Sequence, residues 1–360
     1  MNAVRMDRRV AGVAAPRDVA VVLLGTGKVG GAFLQLLRTR AGARLALVGA
    51  ANSRHQHTQA AALVERRLRE RLNIAGEGRD DDALLRALDA SDAGEKVIVD
   101  ATASNALAAR HPEWLARGCN VVTANKALAG GGLAGWHALR AACARHANYG
   151  DSATVGAGLP ALSTLRRLRA CGDAFKRIEG VFSGSLSYLF NHFDGRQPFS
   201  ELLHEAMLLG YTEPDPRADL SGEDVARKLL ILARTAGFLL ERVHVDVEDL
   251  VPAALRGIPR EAFLDRVGEL DAPFAARLAA ASAHGCTLRY LARFDAEDGC
   301  ARVGLAEVPR EHPAAHLVGA DNLFAFTTSR YAQRPLVIQG AGAGPEVTAQ
   351  ALLGDVLALS

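Results

Sequence analysis

Residues Val19–Leu24 (VAVVLL) form an unbroken apolar run that passes directly into Gly25-Thr26-Gly27-Lys28-Val29-Gly30-Gly31 and then into the helical segment AFLQLLRTR. Few local patterns constrain a fold as tightly. A strand that is apolar on both faces belongs inside a parallel sheet covered by helices on each side, since a strand with one wet face would alternate. The glycines divide the work between them. Gly25 makes the turn, Gly27 admits a phosphate-bearing ligand close to the backbone, and Gly30 lets the helix pack on the strand. The helix N-terminus then presents free amides and the positive end of its dipole to an anion. Strand, glycine turn and helix in this order form a dinucleotide-binding fingerprint. Gly25, Thr26, Gly27, Lys28, Val29 and Gly30 are thus the first candidate cofactor-binding residues.

Further strands are read at Arg44–Ala50, at Val97–Ala103 (VIVDATA) and at Asn120–Thr123, each separated by helical segments. This alternation predicts a Rossmann-type parallel sheet over residues 18–150. Ligands of such sheets bind beyond the carboxyl ends of the strands, which singles out Asn52, Ser53 and Arg54, then Thr102 and Ala103, then Lys126. A strict NAD enzyme normally offers Asp or Glu to the adenine ribose 2′-hydroxyl after the second strand. Ala50-Ala51-Asn52-Ser53-Arg54 has no acid to repel a 2′-phosphate, so the reading favours NADP, with NAD use left open.

A chain of 360 residues is long for one hydrophobic core, and its 49% hydrophobic content is enough to fill two. Past residue 150 the pattern changes to mixed strands and helices, with strands near 176–182, 286–295, 301–308 and 323–329, so a second, α+β catalytic domain is expected over 151–335. The net charge of +2 gives no case for a nucleic-acid partner, and the arginines of 65–71 (ERRLRER) are read as solvating a helix. Five cysteines, at 119, 143, 171, 286 and 300, lack the spacing of a disulfide framework or zinc site. No apolar run reaches the roughly 20 residues of a membrane span, and residues 1–17 carry arginines without an apolar signal stretch. A soluble, cytoplasmic protein with a small-molecule partner and no membrane association is expected. Residues 1–17 are read as a flexible tail, or as an extension upstream of a true start at Met6.

The segment Ala206–Arg234, AMLLGYTEPDPRADLSGEDVARKLLILAR, sets Glu213, Asp219, Asp224 and Lys228 around a proline-rich turn and a helix start. Pro214 and Pro216 bar a regular helix between Glu213 and Asp219. Ser221 reads as the N-cap of the next helix, with Asp224 three residues on, and Val225, Leu229 and Leu232 as its apolar stripe. Asp224 and Lys228 are then i,i+4 neighbours. Any one of these charges suits a solvated surface helix. Four together, on a turn stiffened twice by proline, suit the grip of a small cationic group.

The run GYTEPDPRADLSGEDVARK resembles the signature of homoserine dehydrogenases along its whole length. VVTANKAL around Lys126, VFSGSLSYLF around Ser183 and LVIQGAGAG before Pro345 resemble that family's corresponding segments, so the likeness covers roughly residues 18–358. The resemblance implies a short, monofunctional enzyme without kinase or sensor domain. Such enzymes interconvert L-aspartate 4-semialdehyde and L-homoserine with NAD(P)H, on the aspartate-derived route to threonine and methionine. It implies that Lys126 sits between nicotinamide and substrate, that Ser183 and Gly184 bind substrate, and that Gly344 contacts the cofactor. It implies further that residues 336–360 return to the nucleotide-binding domain, and that the second domain dimerises, with the 323–329 strand as a possible interface.

The segment SATVGAGLP (Ser152–Pro160) is too rich in small residues, and too abruptly ended by proline, to be a strand or helix interior. In similar enzymes main-chain oxygens here hold a monovalent cation such as Na+ or K+, which maps to Ser152, Val155, Ala157 and Leu159. Ser152 stands where relatives often carry an acid. For the chemistry, reduction must deliver a proton to the developing alkoxide, and Lys228 is the expected donor with Lys126 as its partner. Glu213 and Asp219 would grip the substrate ammonium, and Asp224 would orient Lys228 or join the substrate network. Two other readings remain open. An aspartate-semialdehyde dehydrogenase would need an activated cysteine, for which Cys119 is the one near a strand end. A non-catalytic NADP-binding regulator would keep the fold without turnover.

Overall fold

The computed structural model describes residues 18–39, 41–58, 68–143 and 147–359. The expected tail over 1–17 and the first residues of the 65–71 arginine run lie outside them. Arg69 and Arg71 are exposed on a helix, Leu68–Ala75, that buries Leu68 and Leu72 beneath them.

Among the described residues the first sheet holds β1 (Val19–Leu24), β2 (Leu45–Ala51), β3 (His55–His57), β4 (Glu77–Gly78), β5 (Glu95–Asp100), β6 (Asn120–Thr123) and β7 (Tyr149–Gly150). Their order is β4-β3-β2-β1-β5-β6-β7. β2, β1, β5, β6 and β7 run parallel, and β3 and β4 add an antiparallel edge. The chain leaves β1 to one side to form β2 and to the other to form β5. The topological switch point therefore lies between β1 and β5, where such a sheet opens its ligand crevice. Every residue of β1 is buried, as its unbroken apolar run requires.

The second sheet comprises β8 (Phe175–Val181), β9 (Val245–Val247), β10 (Cys286–Asp295), β11 (Ala301–Pro309), β12 (Asp321–Thr328) and β13 (Leu336–Ala341), in the order β13-β12-β8-β10-β11-β9. It is antiparallel apart from the β9–β11 pair. This is the α+β unit expected after residue 150.

Two particulars differ from the sequence reading. Residues 336–341 do not return to the first sheet: they form β13, which pairs with β12 as an edge of the second. The return begins with the helix Pro345–Leu357, whose Ala349, Leu352, Leu353 and Val356 are buried in one apolar cluster with Phe33 and with Val19, Val21 and Leu23 of β1. The strand expected at 323–329 is not available as an interface either. β12 is an interior strand, and Leu323, Phe324, Ala325 and Phe326 are at most 3% exposed within a single chain. Its apolar side chains are consumed by the internal core, including a stack of Phe324 on Phe182 with ring centroids 4.9 Å apart.

Candidate active site

The glycine turn after β1 is fixed by sterics. Gly25 has φ +91° and donates its N–H to Ala51 O at 2.8 Å. A Cβ on Gly25 would lie 2.7 Å from Thr102 Cγ2, and one on Gly30 would lie 1.8 Å from Gly25 O. A Cβ on Gly27 would meet nothing within 4 Å. Gly25 and Gly30 thus serve packing, while Gly27 fronts open space at the start of the helix Lys28–Leu36, which has no side-chain cap. Uncapped amides beside open space suit a pyrophosphate. Lys28 and Val29 occupy this first turn.

At the end of β2, Asn52 builds its own loop. Its Oδ1 accepts from the Arg54 and His55 N–H groups at 2.8 and 2.7 Å, and its Nδ2 donates to Leu72 O and Asn73 Oδ1. The Asn52 side chain is therefore spent on the turn, which leaves Ser53 and Arg54 exposed at its tip. A residue missed by sequence reasoning joins them. Arg79 donates to Asn52 O at 3.0 Å and pairs with Asp81 at 2.7 Å, while its Nη2 has no hydrogen-bond partner among the described residues. It lies far from Asn52 in sequence, so no local signal marks it.

Asp100, also missed, joins the next two strand ends. Fully buried at the end of β5, it accepts from Thr102 N and Oγ1 at 2.9 and 2.6 Å through Oδ1, and from Asn125 Nδ2 at 3.1 Å through Oδ2. His111 Nε2 lies 3.0 Å from the same Oδ2, and His111 Nδ1 lies 3.1 Å from the Tyr149 hydroxyl. One carboxylate thus fixes both the Thr102–Ala103 turn and the residue preceding Lys126. Burial raises the Tyr149 hydroxyl well above its ordinary pKa, so it stays a neutral member of this network.

The carboxylates of the proline-rich segment converge on the second sheet. A single helical turn, Arg217–Leu220, begins directly after Pro216, because proline is tolerated at a helix start. The expected cap at Ser221 is not the cap of the following helix. Ser221 closes the short turn, donating to Ala218 O at 2.9 Å, and Gly222 is the N-cap of Glu223–Ala236 with φ +72°. A left-handed residue is needed there, and a Cβ would lie 1.9 Å from the Tyr290 hydroxyl, so only glycine fits. Val225, Leu229 and Leu232 form the buried stripe as expected.

Asp219 accepts from Ser185 Oγ at 2.6 Å and from Glu213 N at 2.8 Å. Ser183, the N-cap of the helix Gly184–His192, touches Ser185 Oγ at 2.9 Å and so belongs to the same chain of hydrogen bonds. Burial raises the Asp219 carboxyl, and the nearby Glu213 and Asp224 carboxylates add to this against the two hydrogen bonds. The Glu213 side chain itself is exposed.

Asp224 bridges the two lysines. Its Oδ2 lies 2.9 Å from Lys228 Nζ and its Oδ1 lies 3.4 Å from Lys126 Nζ. Lys228 also donates to Phe182 O at 2.7 Å. Burial works to raise the Asp224 carboxyl, but the Lys228 and Lys126 ammoniums outweigh it and hold Asp224 well below the usual carboxylate range. Burial lowers the Lys126 ammonium; Asp224 opposes that and Lys228 reinforces it. The result is an ammonium–carboxylate–ammonium cluster with one lysine from each sheet's layer.

The loop behind Lys126 is held to the Lys228 helix by Arg234, a residue absent from the sequence-level site. Its guanidinium, fully buried, donates to Ala129 O at 2.8 Å, Gly131 O at 2.7 Å and Leu240 O at 2.7 Å. Gly130 between those carbonyls leaves room for Arg227, whose Cγ would lie 2.2 Å from a Cβ there.

In the expected cation loop, Gly156 (φ +77°) and Ala157 (φ +51°) are both left-handed. Among the described residues the carbonyls of Val155 and Ala157 receive no backbone hydrogen bond, whereas Leu159 O accepts from Ala161 N at 2.8 Å. Ser152 donates its N–H and hydroxyl to the Asp355 carboxylate at 2.9 and 2.7 Å, so a carboxylate stands beside this serine after all, brought by the closing helix. Gly344, with φ +130°, starts that helix. Cys119 is 3% exposed and burial raises its thiol, the reverse of what a nucleophilic cysteine requires.

A family model described as homoserine dehydrogenase matches residues 160–357, and one described as the homoserine dehydrogenase NAD-binding domain matches residues 25–149. The chain is 39% identical over 352 residues to a chloroplastic bifunctional aspartokinase/homoserine dehydrogenase 2 of Zea mays, a match covering 95% of this chain and 38% of that protein. It thus spans less than half the length of the first such relatives. With the homoserine dehydrogenase of Emericella nidulans it shares 43% identity over 280 residues, covering 74% of this chain and 76% of that one. Among solved structures, a Candida auris protein of unknown function superposes with a TM-score of 0.87 at 35% identity, over 95% of this chain and 98% of the other. A hyperthermophilic archaeal homoserine dehydrogenase in complex with NADPH superposes with a TM-score of 0.70, over 94% of this chain and 96% of the other. At 18% identity that second likeness is one of fold.

Proposed function

Because the chain belongs to the homoserine dehydrogenase family, we propose that it interconverts L-aspartate 4-semialdehyde and L-homoserine using a nicotinamide dinucleotide, NADP ahead of NAD. The observation that carries this reading is the Asp224 carboxylate bridging Lys126 and Lys228, one lysine from each layer. Residues 18–150 with the helix Pro345–Leu357 would hold the nucleotide, and residues 151–341 the substrate. Gly27 and the uncapped amides after it suit the pyrophosphate. Ser53, Arg54 and the half-buried Arg79 suit a 2′-phosphate, since no carboxylate stands on the turn itself. The archaeal relative of the same fold is described with NADPH.

When bound, the nicotinamide supplies or accepts the hydride. The protein's share is to bind, orient and move a proton. Glu213 and Asp219 meet the substrate ammonium, with Asp219 preset by Ser185, while the Ser183–Gly184 helix start takes the carboxylate. As hydride reaches the aldehyde carbon, its oxygen becomes an alkoxide, and Lys228 Nζ gives that oxygen a proton. Lys126 supplies positive charge on the other side. Asp224 aims both ammoniums and opposes the burial that lowers Lys126. In the oxidative direction Lys228, once neutral, takes the hydroxyl proton back. The Val155 and Ala157 carbonyls, left without backbone donors, suit a monovalent cation such as Na+ or K+ that would brace the loop. A homodimer would use an edge or face of the second sheet other than β12.

The assay is NADPH oxidation, followed by absorbance, with L-aspartate 4-semialdehyde and no phosphate present. Rapid turnover supports the proposal. Phosphate-dependent reduction of NADP+ by the same aldehyde, without NADPH oxidation, would indicate semialdehyde dehydrogenation instead, and tight NADP binding without turnover would indicate a regulator.

A further inference from the structure

A cavity of about 350 Å³ opens between the helix Leu133–Cys143, the helix Ala161–Ala170 and the C-terminal end of the helix Glu223–Ala236. Four arginines line it, Arg140, Arg166, Arg169 and Arg234, against the single carboxylate of Asp151. Two of the four are matched: Arg166 pairs with Asp151, and Arg234 is taken up by its carbonyls and by Glu241 at 3.6 Å. The other two are not. Arg140 lies over the Trp136 ring at 5.9 Å and Arg169 donates to Thr235 O at 3.2 Å, and neither has a carboxylate partner among the described residues. In the same wall the Thr235 hydroxyl is buried without a hydrogen-bond partner.

Positive charge collected in a concave site without matching carboxylates repels itself, and a buried hydroxyl left unpaired adds a further cost. An oxyanion relieves the charge repulsion. Two guanidinium forks suit carboxylate or phosphate oxygens, and Trp136 with Leu139 offers an apolar wall for a short carbon skeleton. We infer that this cavity binds a small multivalent oxyanion, held chiefly by Arg140 and Arg169. The site is separate from the nucleotide crevice and from the lysine cluster, and its assignment does not rest on the proposed reaction. It has a mechanical link to both. The Leu133–Cys143 helix follows the Lys126 loop, and the Glu223–Ala236 helix carries Asp224 and Lys228, so an anion between them fastens the two lysine-bearing elements together.

The test is calorimetric titration and thermal unfolding with inorganic phosphate and, separately, with succinate, at fixed ionic strength with chloride as control. NADP is kept saturating so that phosphate subsites of the nucleotide crevice are filled. Saturable binding to a single class of site is expected from at least one of the two anions, and which one binds distinguishes a phosphate from a carboxylate ligand. The double variant Arg140→Gln/Arg169→Gln should weaken that binding about tenfold or more, as the loss of charge-assisted bonds implies, while leaving NADP affinity unchanged. Arg140→Gln alone, a change at an exposed position, should show part of the loss and serves where the double variant does not fold. Absence of binding beyond chloride with both anions, or undiminished binding by the folded variants, overturns the inference.

Discussion

Lys228 Nζ donates to the carbonyl oxygen of Phe182 at 2.7 Å, so the expected proton donor is held by main chain from the end of a strand in the second sheet. A side chain fixed at both its helix and its tip delivers its proton to one place. Lys228→Ala is therefore expected to lower kcat by about 10²–10⁴-fold, the usual general-acid contribution, with NADPH affinity nearly intact. Glu213→Gln should chiefly raise KM, since the ammonium grip is the same in ground and transition states. Steady-state kinetics and cofactor titration measure both. A Lys228→Ala enzyme keeping more than about a tenth of kcat would move the donor role to Lys126 or to water.

Asp224→Asn separates stability from catalysis by pH. The folded Asp224 carboxyl lies below its unfolded value near 3.9, so its stabilising charge is fully present above about pH 4 and is lost as pH falls through the lower folded value. The Tm gap between wild type and variant should be constant above about pH 4 and close below it. The reduction rate responds at the other end of the scale. Burial lowers Lys126 and Asp224 counteracts this, so removing the carboxylate should shift the alkaline limb of kcat/KM to lower pH. An unmoved limb would mean that Lys126 is not the titrating group.

Gly27 and Gly30 should part company on mutation. Gly27→Ala adds a methyl that meets no protein atom within 4 Å, so Tm should hold while NADPH affinity falls. Gly30→Ala drives a methyl to 1.8 Å from Gly25 O and should lower Tm as well. Thermal unfolding without nucleotide, followed by NADPH titration, gives both readings. Equal nucleotide affinity in Gly27→Ala and wild type would place the pyrophosphate elsewhere.

Cofactor preference should turn on the β2 loop. Ser53→Asp places a carboxylate at the exposed tip where a 2′-phosphate would lie, and the ratio of kcat/KM values should shift from NADPH towards NADH. A wild-type enzyme that clearly prefers NADH would refute the NADP assignment.

Arg234→Met removes a buried guanidinium and strands the carbonyls of Ala129, Gly131 and Leu240. A loss of about 3–5 kcal/mol in denaturant unfolding is expected, as for a buried ion-pair partner deleted singly. Because the same bonds set the Lys126 loop against the Lys228 helix, kcat should fall even at temperatures where the variant is folded. A stable variant with full kcat would show that Lys126 is positioned from its own domain alone.

The parts of this molecule visible in its sequence are those encoded locally. β1 and its glycine turn follow from residues adjacent in the chain, and so does the i,i+4 pairing of Asp224 with Lys228. The cap at Gly222 was masked by Ser221, a better capping residue by side chain, because the left-handed turn and the close Tyr290 hydroxyl are set by tertiary packing. Asp100, Arg79, Arg234 and Asp355 act on partners remote in sequence, and their buried charges carry no periodic or motif signal. The edge role of β13 was hidden likewise, since which sheet a strand joins is decided by its partner.

The chain crosses between its two layers twice, outward after β7 and back between β13 and the closing helix, and Ser152 clasps Asp355 across these passages. A body tethered at one point can tumble about it. Tethered at two and clasped beside them, it has fewer ways to move. Lys126 stands on one leaf and Lys228 on the other, with Asp224 as the page on which both lysines meet.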